Sequence, residues 1–209
     1  MVHFTLFGIP VYIRPSFWVV LAIFGGALSI SSVEDLIYPA LFVIAGFIAI
    51  LSHEMGHALV GRRLGGGQQT IVLELFGGLT SSHGMQLTRG GRALMILAGP
   101  MMTLLLGIIS LWLTWNIVAP VMASHNLDFW DLAISPFTAA LISPKLYILS
   151  CLIMIGEWWT LLNLLPIYPL DGGQLIAQYI RSPRKVFMTG FITAILIGLL
   201  SFQDRKSVV

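Results

Sequence analysis

Two histidines and a glutamate lie within a strongly apolar stretch, FIAILSHEMGHALVGRR, residues 47–63. His53 and His57 are four residues apart, so a helix places both imidazoles on one face, where they can hold one zinc ion. In an H-E-x-x-H sequence the glutamate, here Glu54, is the base that takes a proton from the attacking water. The alternative is a chance match, or two histidines hydrogen-bonded in a helix interface. Because ionisable groups are costly in hydrocarbon, the stretch favours a zinc site.

A catalytic zinc ion takes three protein ligands and leaves one position open for water. The one cysteine, Cys151, lies in an apolar run, so histidine or carboxylate must supply the third ligand. Asp171 has the most informative surroundings, because Pro166 and Pro169 prevent a regular helix before it, and non-helical backbone at membrane depth must be buried or line a cavity. Asp171 could instead be the N-cap of a short helix. The full set of candidates is His3, Glu74, His83, His125, Glu157 and Asp171.

Two further polar residues lie in the apolar run that precedes Asp171. The amide of Asn163 must find partners there; it could orient a substrate carbonyl or stabilise an oxyanion, or it could bond another helix. Glu157 has no specific role in this scheme. We expect it to be protonated and hydrogen-bonded, with the lining of a water channel as the second option.

The composition is that of an integral membrane protein. Apolar residues make up 57% of the 209 and charged residues 10%, and the mean hydropathy is +0.91. Eleven Lys and Arg against nine Asp and Glu provide no basic stripe, which argues against nucleic acid as a partner.

A bilayer core about 30 Å thick requires roughly 20 apolar helical residues. Five stretches reach or approach that length: about 16–33, 38–62, 91–119, 145–166 and 185–202. Residues 171–181 are too few to span and are expected to form a half-helix after a break. The predicted fold is therefore multi-span and α-helical, with about five spans plus a broken half-helix.

A small β-sheet is expected at the cytosolic face. Residues 68–87 are rich in β-branched side chains and predict one or two strands, and residues 7–15 could add another. Residues 120–144, with three prolines, predict an interfacial loop on the outer side.

Basic residues indicate the orientation. Arg62 and Arg63 follow the histidines, and Arg89 and Arg92 precede the next span, so the positive-inside rule places the intervening loop in the cytosol. His53 lies nine residues before Arg62, about 13 Å along a helix, so the site is expected within the cell membrane but nearer the cytosol.

Four motifs together resemble the site-2 protease family of intramembrane zinc metalloproteases. They are HEMGH (53–57), FGG (76–78), AGP (98–100) and NLLPIYPLDGG (163–173). The resemblance extends from about residue 7 to 181. It implies His53, His57 and Asp171 as ligands of one zinc ion per chain, Glu54 as general base, and Asn163 as the polar group near the reacting carbonyl.

The resemblance implies one membrane protease domain over residues 1–209, with a catalytic core of about 38–181. No insertion is long enough for a PDZ-like peptide-binding domain, and no CBS-like nucleotide-sensing domain is expected. If residues 71–80 present an open strand edge near the site, an unwound substrate could add as a strand there, which predicts substrate contacts at Phe76, Gly77, Gly78 and Leu79.

The predicted function is that of a zinc endopeptidase that cuts membrane-spanning segments of membrane-anchored proteins, with the lipid bilayer as its environment and an accessory regulator or homo-oligomer as further partners. The rival is a zinc transporter or zinc-binding membrane scaffold. Transporters are expected to have paired broken helices in repeated halves, whereas this sequence has one broken unit. An inactive homologue is disfavoured because every expected catalytic residue is present.

Overall fold

The computed structural model describes residues 1–75, 77–84, 86–125, 130, 133, 135–180 and 182–204. Four strands and seven α-helices are assigned within these residues. In chain order they are β1 (Val2–Leu6), β2 (Ile9–Ile13), α1 (Pro15–Phe24), α2 (Ile37–Gly65), β3 (Gln68–Glu74), β4 (Gly77–His83), α3 (Arg89–His125), α4 (Pro136–Ile142), α5 (Pro144–Leu164), α6 (Asp171–Ala177) and α7 (Pro183–Asp204).

The strands form one sheet in the order β1-β2-β3-β4. β1 and β2 are antiparallel, β2 and β3 are parallel, and β3 and β4 are antiparallel. The β1–β2 turn uses Phe7 and Gly8, both at positive φ, as tight hairpins with the right twist require. One or two strands were predicted within 68–87, and the structure has two there, β3 and β4. β2 falls within the predicted 7–15 segment, and β1 was not predicted.

One face of the sheet is buried against α1 and α2. Alternate strand residues point to the same face, and those that point inward here are Ile9, Val11, Ile13, Ile71 and Leu73, all with at most 2% of their surface exposed. This packing fixes the sheet on α2 and brings β4 beside the HEMGH turn.

Within the described part of the chain, three helices are long and apolar enough to cross a membrane: α2, residues 89–117 of α3, and α5. They match three of the predicted spans, 38–62, 91–119 and 145–166. The total of about five is not confirmed. α1 has ten residues, about 15 Å, and Gly26 at positive φ separates it from a 3₁₀ turn, so 16–33 is not one continuous helix. α7 coincides with the predicted 185–202 segment; its crossing remains a prediction.

The prediction of an interfacial loop at 120–144 is wrong where the structure describes these residues. α3 continues to His125, and α4 occupies Pro136–Ile142; residues 126–129, 131, 132 and 134 lie outside the described residues. Pro136 and Pro144 occupy first-turn positions, where their missing N–H groups cost nothing, and Ser135 and Ser143 cap the two helices. The prolines therefore start helices instead of preventing them.

The predicted break after α5 is present. α5 ends at Leu164, residues 165–170 are irregular, and α6 covers Asp171–Ala177, shorter than the predicted 171–181. Gly172 lies against the carbonyls of Leu164 and Leu165, and Gly173 lies against the backbone of Ile167. A Cβ at either glycine would overlap these atoms, so the glycine pair allows α6 to fold back onto the break.

α2, α3 and α5 pack through small and hydroxyl-bearing residues. Gly56 of α2 touches the Ala98 carbonyl of α3 so closely that a Cβ would overlap it. The Thr103 and Thr160 hydroxyls join α3 to α5 at 2.7 Å. Such close contacts are typical of helices packed within a membrane.

Candidate metal centre

Three potential metal ligands from two distant parts of the chain converge. The Nε2 atom of His53 lies 3.0 Å from Oδ2 of Asp171, and that of His57 lies 3.3 Å from the same oxygen. The two Nε2 atoms are 3.1 Å apart. All three residues are buried, and they form the one group of three His, Cys, Asp or Glu side chains with metal-ligand spacing among the described residues.

The hydrogen bond behind His57 determines which of its nitrogens is free. Its Nδ1 lies 2.8 Å from the Met95 carbonyl of α3. A carbonyl accepts only, so Nδ1 must donate, and the neutral imidazole then directs the lone pair of Nε2 at His53 and Asp171. Lone pairs from an imidazole and a carboxylate that point at one place favour a cation there.

The spacing fits zinc. Tetrahedral ligands at about 2.0–2.1 Å from zinc are separated by about 3.3 Å. The observed separations of 3.0, 3.1 and 3.3 Å are near this value. Two imidazoles and one carboxylate are also the donor set of known catalytic zinc sites, with a fourth position left open.

Gly99 of α3 makes room for the two imidazoles. A Cβ at this position would overlap the His57 ring and would lie 2.9 Å from Nε2 of His53. Together with Gly56, one helix turn from His53, it lets α3 approach α2 at the level of the histidines. The AGP motif therefore has a steric role at the metal centre.

The Glu54 side chain contacts the sheet and lines the same cavity as the three converging residues. The Thr80 hydroxyl of β4 donates to Oε2 of Glu54 at 2.7 Å and lies 3.2 Å from its backbone carbonyl. Gly78, on the same face of β4, lies directly against the Glu54 side chain, where a Cβ would overlap its Cγ. The strand and α2 thus hold the carboxylate between them.

Asn163 lies in the last turn of α5 and lines the same cavity as the histidines. Its Nδ2 donates to the Trp159 carbonyl one turn earlier at 2.9 Å. An amide nitrogen carries two hydrogens, so this bond leaves a second N–H for another acceptor.

The histidines, Glu54, Asn163 and Asp171 share a cavity of about 380 Å³. Of the predicted substrate contacts, Gly77, Gly78 and Leu79 line it, and Phe76 lies outside the described residues. A second, apolar groove of about 800 Å³ lies between α1, α2, α4 and α5. Trp159 borders both, and Gly77 allows its indole to lie against β4.

Among the described side chains, the other candidates for the third ligand lie outside this group of three. Glu74 lies at the cavity wall and forms an ion pair with Arg14 at 2.9 Å. His3, His83 and Glu157 are exposed, and the side chain of His125 lies outside the described residues.

Sequence reasoning missed the residues that support the site. Thr80, Trp159 and the Met95 carbonyl contact Glu54, Asn163 and His57 respectively, yet none belongs to a recognisable local pattern. Gly99 was within the AGP motif, but nothing in the sequence connected it with the histidines.

The comparisons with known proteins indicate a zinc metalloprotease. The chain matches the model of peptidase family M50 over residues 41–202. A zinc metalloprotease of Methanocaldococcus jannaschii is 27% identical over 96% of this chain and 54% of its own length. A Synechocystis protein that carries a zinc metalloprotease name is 29% identical over 93% of this chain and 48% of its own length.

Among solved structures, the site-2 protease of Methanocaldococcus jannaschii superposes with a TM-score of 0.60 at 24% identity, covering 96% of this chain and 86% of that one. This likeness concerns the fold. The chain spans about half the length of these two curated relatives.

Proposed function

This chain belongs to peptidase family M50, and we propose that it is an intramembrane zinc endopeptidase. It would hydrolyse a peptide bond within a membrane-spanning segment of another, membrane-anchored protein. The proposed catalytic core extends from about residue 38 to 181. The observation that carries the proposal is the convergence of His53, His57 and Asp171 within 3.3 Å of one another, in the same cavity as Glu54.

The proposed zinc ligands are Nε2 of His53, Nε2 of His57 and Oδ2 of Asp171. Zinc bound there would lower the pKa of a coordinated water and polarise the scissile carbonyl. Other groups of the protein position these ligands. Met95 fixes the tautomer of His57, and the glycine pair after Asp171 holds its carboxylate at the corner between α5 and α6.

Glu54 is the proposed general base. It follows a ligand directly in the chain, is buried, and lines the cavity. Its carboxylate would take the proton of the attacking water and return it to the leaving amine. Asn163, with one amide hydrogen uncommitted, would donate to the oxygen of the scissile carbonyl as negative charge develops there.

The substrate segment is proposed to bind as an added strand. A helix shields its own peptide bonds, so a membrane-spanning substrate must unwind before cleavage. β4 is an edge of the sheet among the described strands, and Gly77, Gly78 and Leu79 line the cavity. Pairing with β4 would replace the hydrogen bonds that the unwound segment loses.

The proposed location is the cell membrane, with α2, α3 and α5 as spans and the site nearer the cytosolic side. Arg62 and Arg63 at the end of α2 and the sheet beyond them support this orientation through the positive-inside rule. We also propose that an accessory protein or a second copy of the chain regulates access of the substrate to the site.

The deciding experiment replaces Glu54 by Gln, which keeps the shape of the side chain and leaves the three proposed ligands intact. Zinc content, cleavage of a co-expressed membrane protein and zinc uptake into vesicles are measured on the same preparations. We expect retained zinc, no cleavage and accumulation of full-length substrate, because a neutral amide cannot accept the proton.

Persistent cleavage by Glu54→Gln would overturn the mechanism. Zinc uptake by the wild-type protein, unaffected by Glu54→Gln and with no proteolysis, would favour a transporter instead.

A further inference from the structure

A residue of β4, Thr80, donates a hydrogen bond to the carboxylate of Glu54, the proposed base. Glu54 is buried, and its Oε2 accepts from the Thr80 hydroxyl at 2.7 Å. Of the hydrogen bonds described, this is the one that reaches the Glu54 carboxylate from another side chain. The interaction joins residues 26 apart in sequence, one on a helix and one on a strand.

The strand register makes Thr80 the residue that faces Glu54. Gly78 and Thr80 are two residues apart, so their side-chain positions lie on the same face of β4. They pair with Leu73 and Ile71 of β3, which are buried toward α2. Gly78 leaves space for Cγ and the carboxyl group of Glu54, with Oε1 beside it, and Thr80 donates to the other oxygen, Oε2.

We propose that Thr80 is a positioning residue that holds the carboxylate of the catalytic base in the orientation needed to receive a proton. A glutamate side chain has three rotatable bonds, and a hydrogen bond to one oxygen restricts the last of them while leaving the other oxygen for water. The inference rests on the proposed role of Glu54. It concerns turnover, because among the hydrogen bonds described Thr80 donates to Glu54 and to none of the three proposed zinc ligands.

The same strand carries the proposed substrate edge. β4 therefore connects two events, the pairing of an unwound segment and the fixing of Glu54. A residue that acts through Glu54 should lower kcat and leave KM nearly unchanged, whereas a residue needed for strand pairing should raise KM.

The test compares Thr80→Val, which removes the hydroxyl and keeps the volume, with Thr80→Ser, which keeps the hydroxyl. The matched control is Thr70→Val, the same change on β3 at a residue that does not line the cavity. We expect Thr80→Val to lose about 10- to 100-fold in kcat, by analogy with the loss of a residue that orients a metal ligand through a hydrogen bond. Zinc content and KM should be unchanged, and Thr80→Ser and Thr70→Val should remain within a few-fold of the wild type.

An infrared measurement tests the contact independently of proteolysis. The carboxylate band of Glu54 is the one lost in Glu54→Gln. It should shift in Thr80→Val and keep its position in Thr80→Ser and Thr70→Val. If Thr80→Val does not fold, Thr80→Ala removes the same hydroxyl with less bulk.

Normal kcat in Thr80→Val, an unshifted band, or equal impairment of Thr80→Val and Thr80→Ser would each overturn the inference. A wild-type protein that cleaves no membrane substrate would refute the proposed function itself, and the catalytic role of Thr80 with it; the infrared band would still report whether the contact exists.

Discussion

Asp171 supplies the one carboxylate among the proposed ligands, and its oxygen contacts both histidines. We expect Asp171→Asn to reduce zinc affinity, because a neutral amide is a much poorer ligand than a carboxylate. The loss should be at least about 10- to 100-fold, which is the usual effect of removing a residue that only hydrogen-bonds a metal ligand. Zinc per chain is measured by atomic emission after dialysis at low free zinc. Glu74→Gln, which neutralises another carboxylate at the cavity wall, is the control and should keep its zinc. Unchanged zinc in Asp171→Asn would remove this residue from the ligand set.

Asn163 offers a second prediction at the residue scale. If its free amide hydrogen is directed at the developing oxyanion, Asn163→Ala should reduce kcat by about 100- to 1000-fold with little change in KM. The bond to the Trp159 carbonyl lies within one helix, and its loss should alter stability only modestly. Steady-state kinetics and thermal unfolding distinguish the two effects. A loss of only a few-fold in kcat would assign Asn163 a packing role.

At the level of elements, the approach of α3 to α2 determines whether the histidines can converge. Gly99→Ala should reduce zinc binding and destabilise the protein by about 1–3 kcal/mol, because a Cβ at this position overlaps His57. Gly107→Ala on the same helix is the matched control, since a Cβ there meets no atom within 4 Å. Zinc content and thermal unfolding are measured for both. Equal zinc in the two variants would contradict the steric role of Gly99.

The edge of β4 provides the second element-scale prediction. Leu79→Pro removes a backbone N–H at the strand that lines the cavity, so it should impair cleavage while zinc content is kept. Cleavage of a membrane substrate and zinc per chain are compared with those of the conservative variant Leu79→Val. Normal cleavage by Leu79→Pro would exclude pairing of the substrate at this position.

The elements that sequence predicts well here are those with a strong local signal. Hydropathy predicts α2, α3 and α5, and the spacing of His53 and His57 predicts their shared helix face. Long-range contacts have no such signal. Thr80 faces Glu54 only because β4 pairs with β3 in one register, and Met95 reaches His57 only because two glycines allow α2 and α3 to touch. The prediction of a loop at 120–144 failed because Pro136 and Pro144 fit equally well in a loop and in the first turn of a helix.

For the whole molecule, orientation in the membrane can be measured with cysteine labels. Cys151 is the one cysteine in the sequence and is buried, so Cys151→Ser provides a background without reactive thiols. His83→Cys at the end of β4 and Lys145→Cys in the first turn of α5 are both at exposed positions. We expect a membrane-impermeant maleimide to label His83→Cys from the cytosolic side and Lys145→Cys from the other. Labelling of both from one side would refute the proposed topology.

Trp159 borders both the polar cavity of Glu54 and the apolar groove between α1, α2, α4 and α5. On the proposed function, the two reactants arrive from different solvents: water from the aqueous phase and the peptide from the lipid phase. At Trp159, a single indole ring separates the polar cavity from the apolar groove. Hydrolysis within a bilayer then depends on keeping the two spaces separate as much as on the metal. We expect the rate of cleavage to depend on the length and unsaturation of the surrounding acyl chains, because lipid tails would compete with the substrate peptide for the groove on one side of that indole.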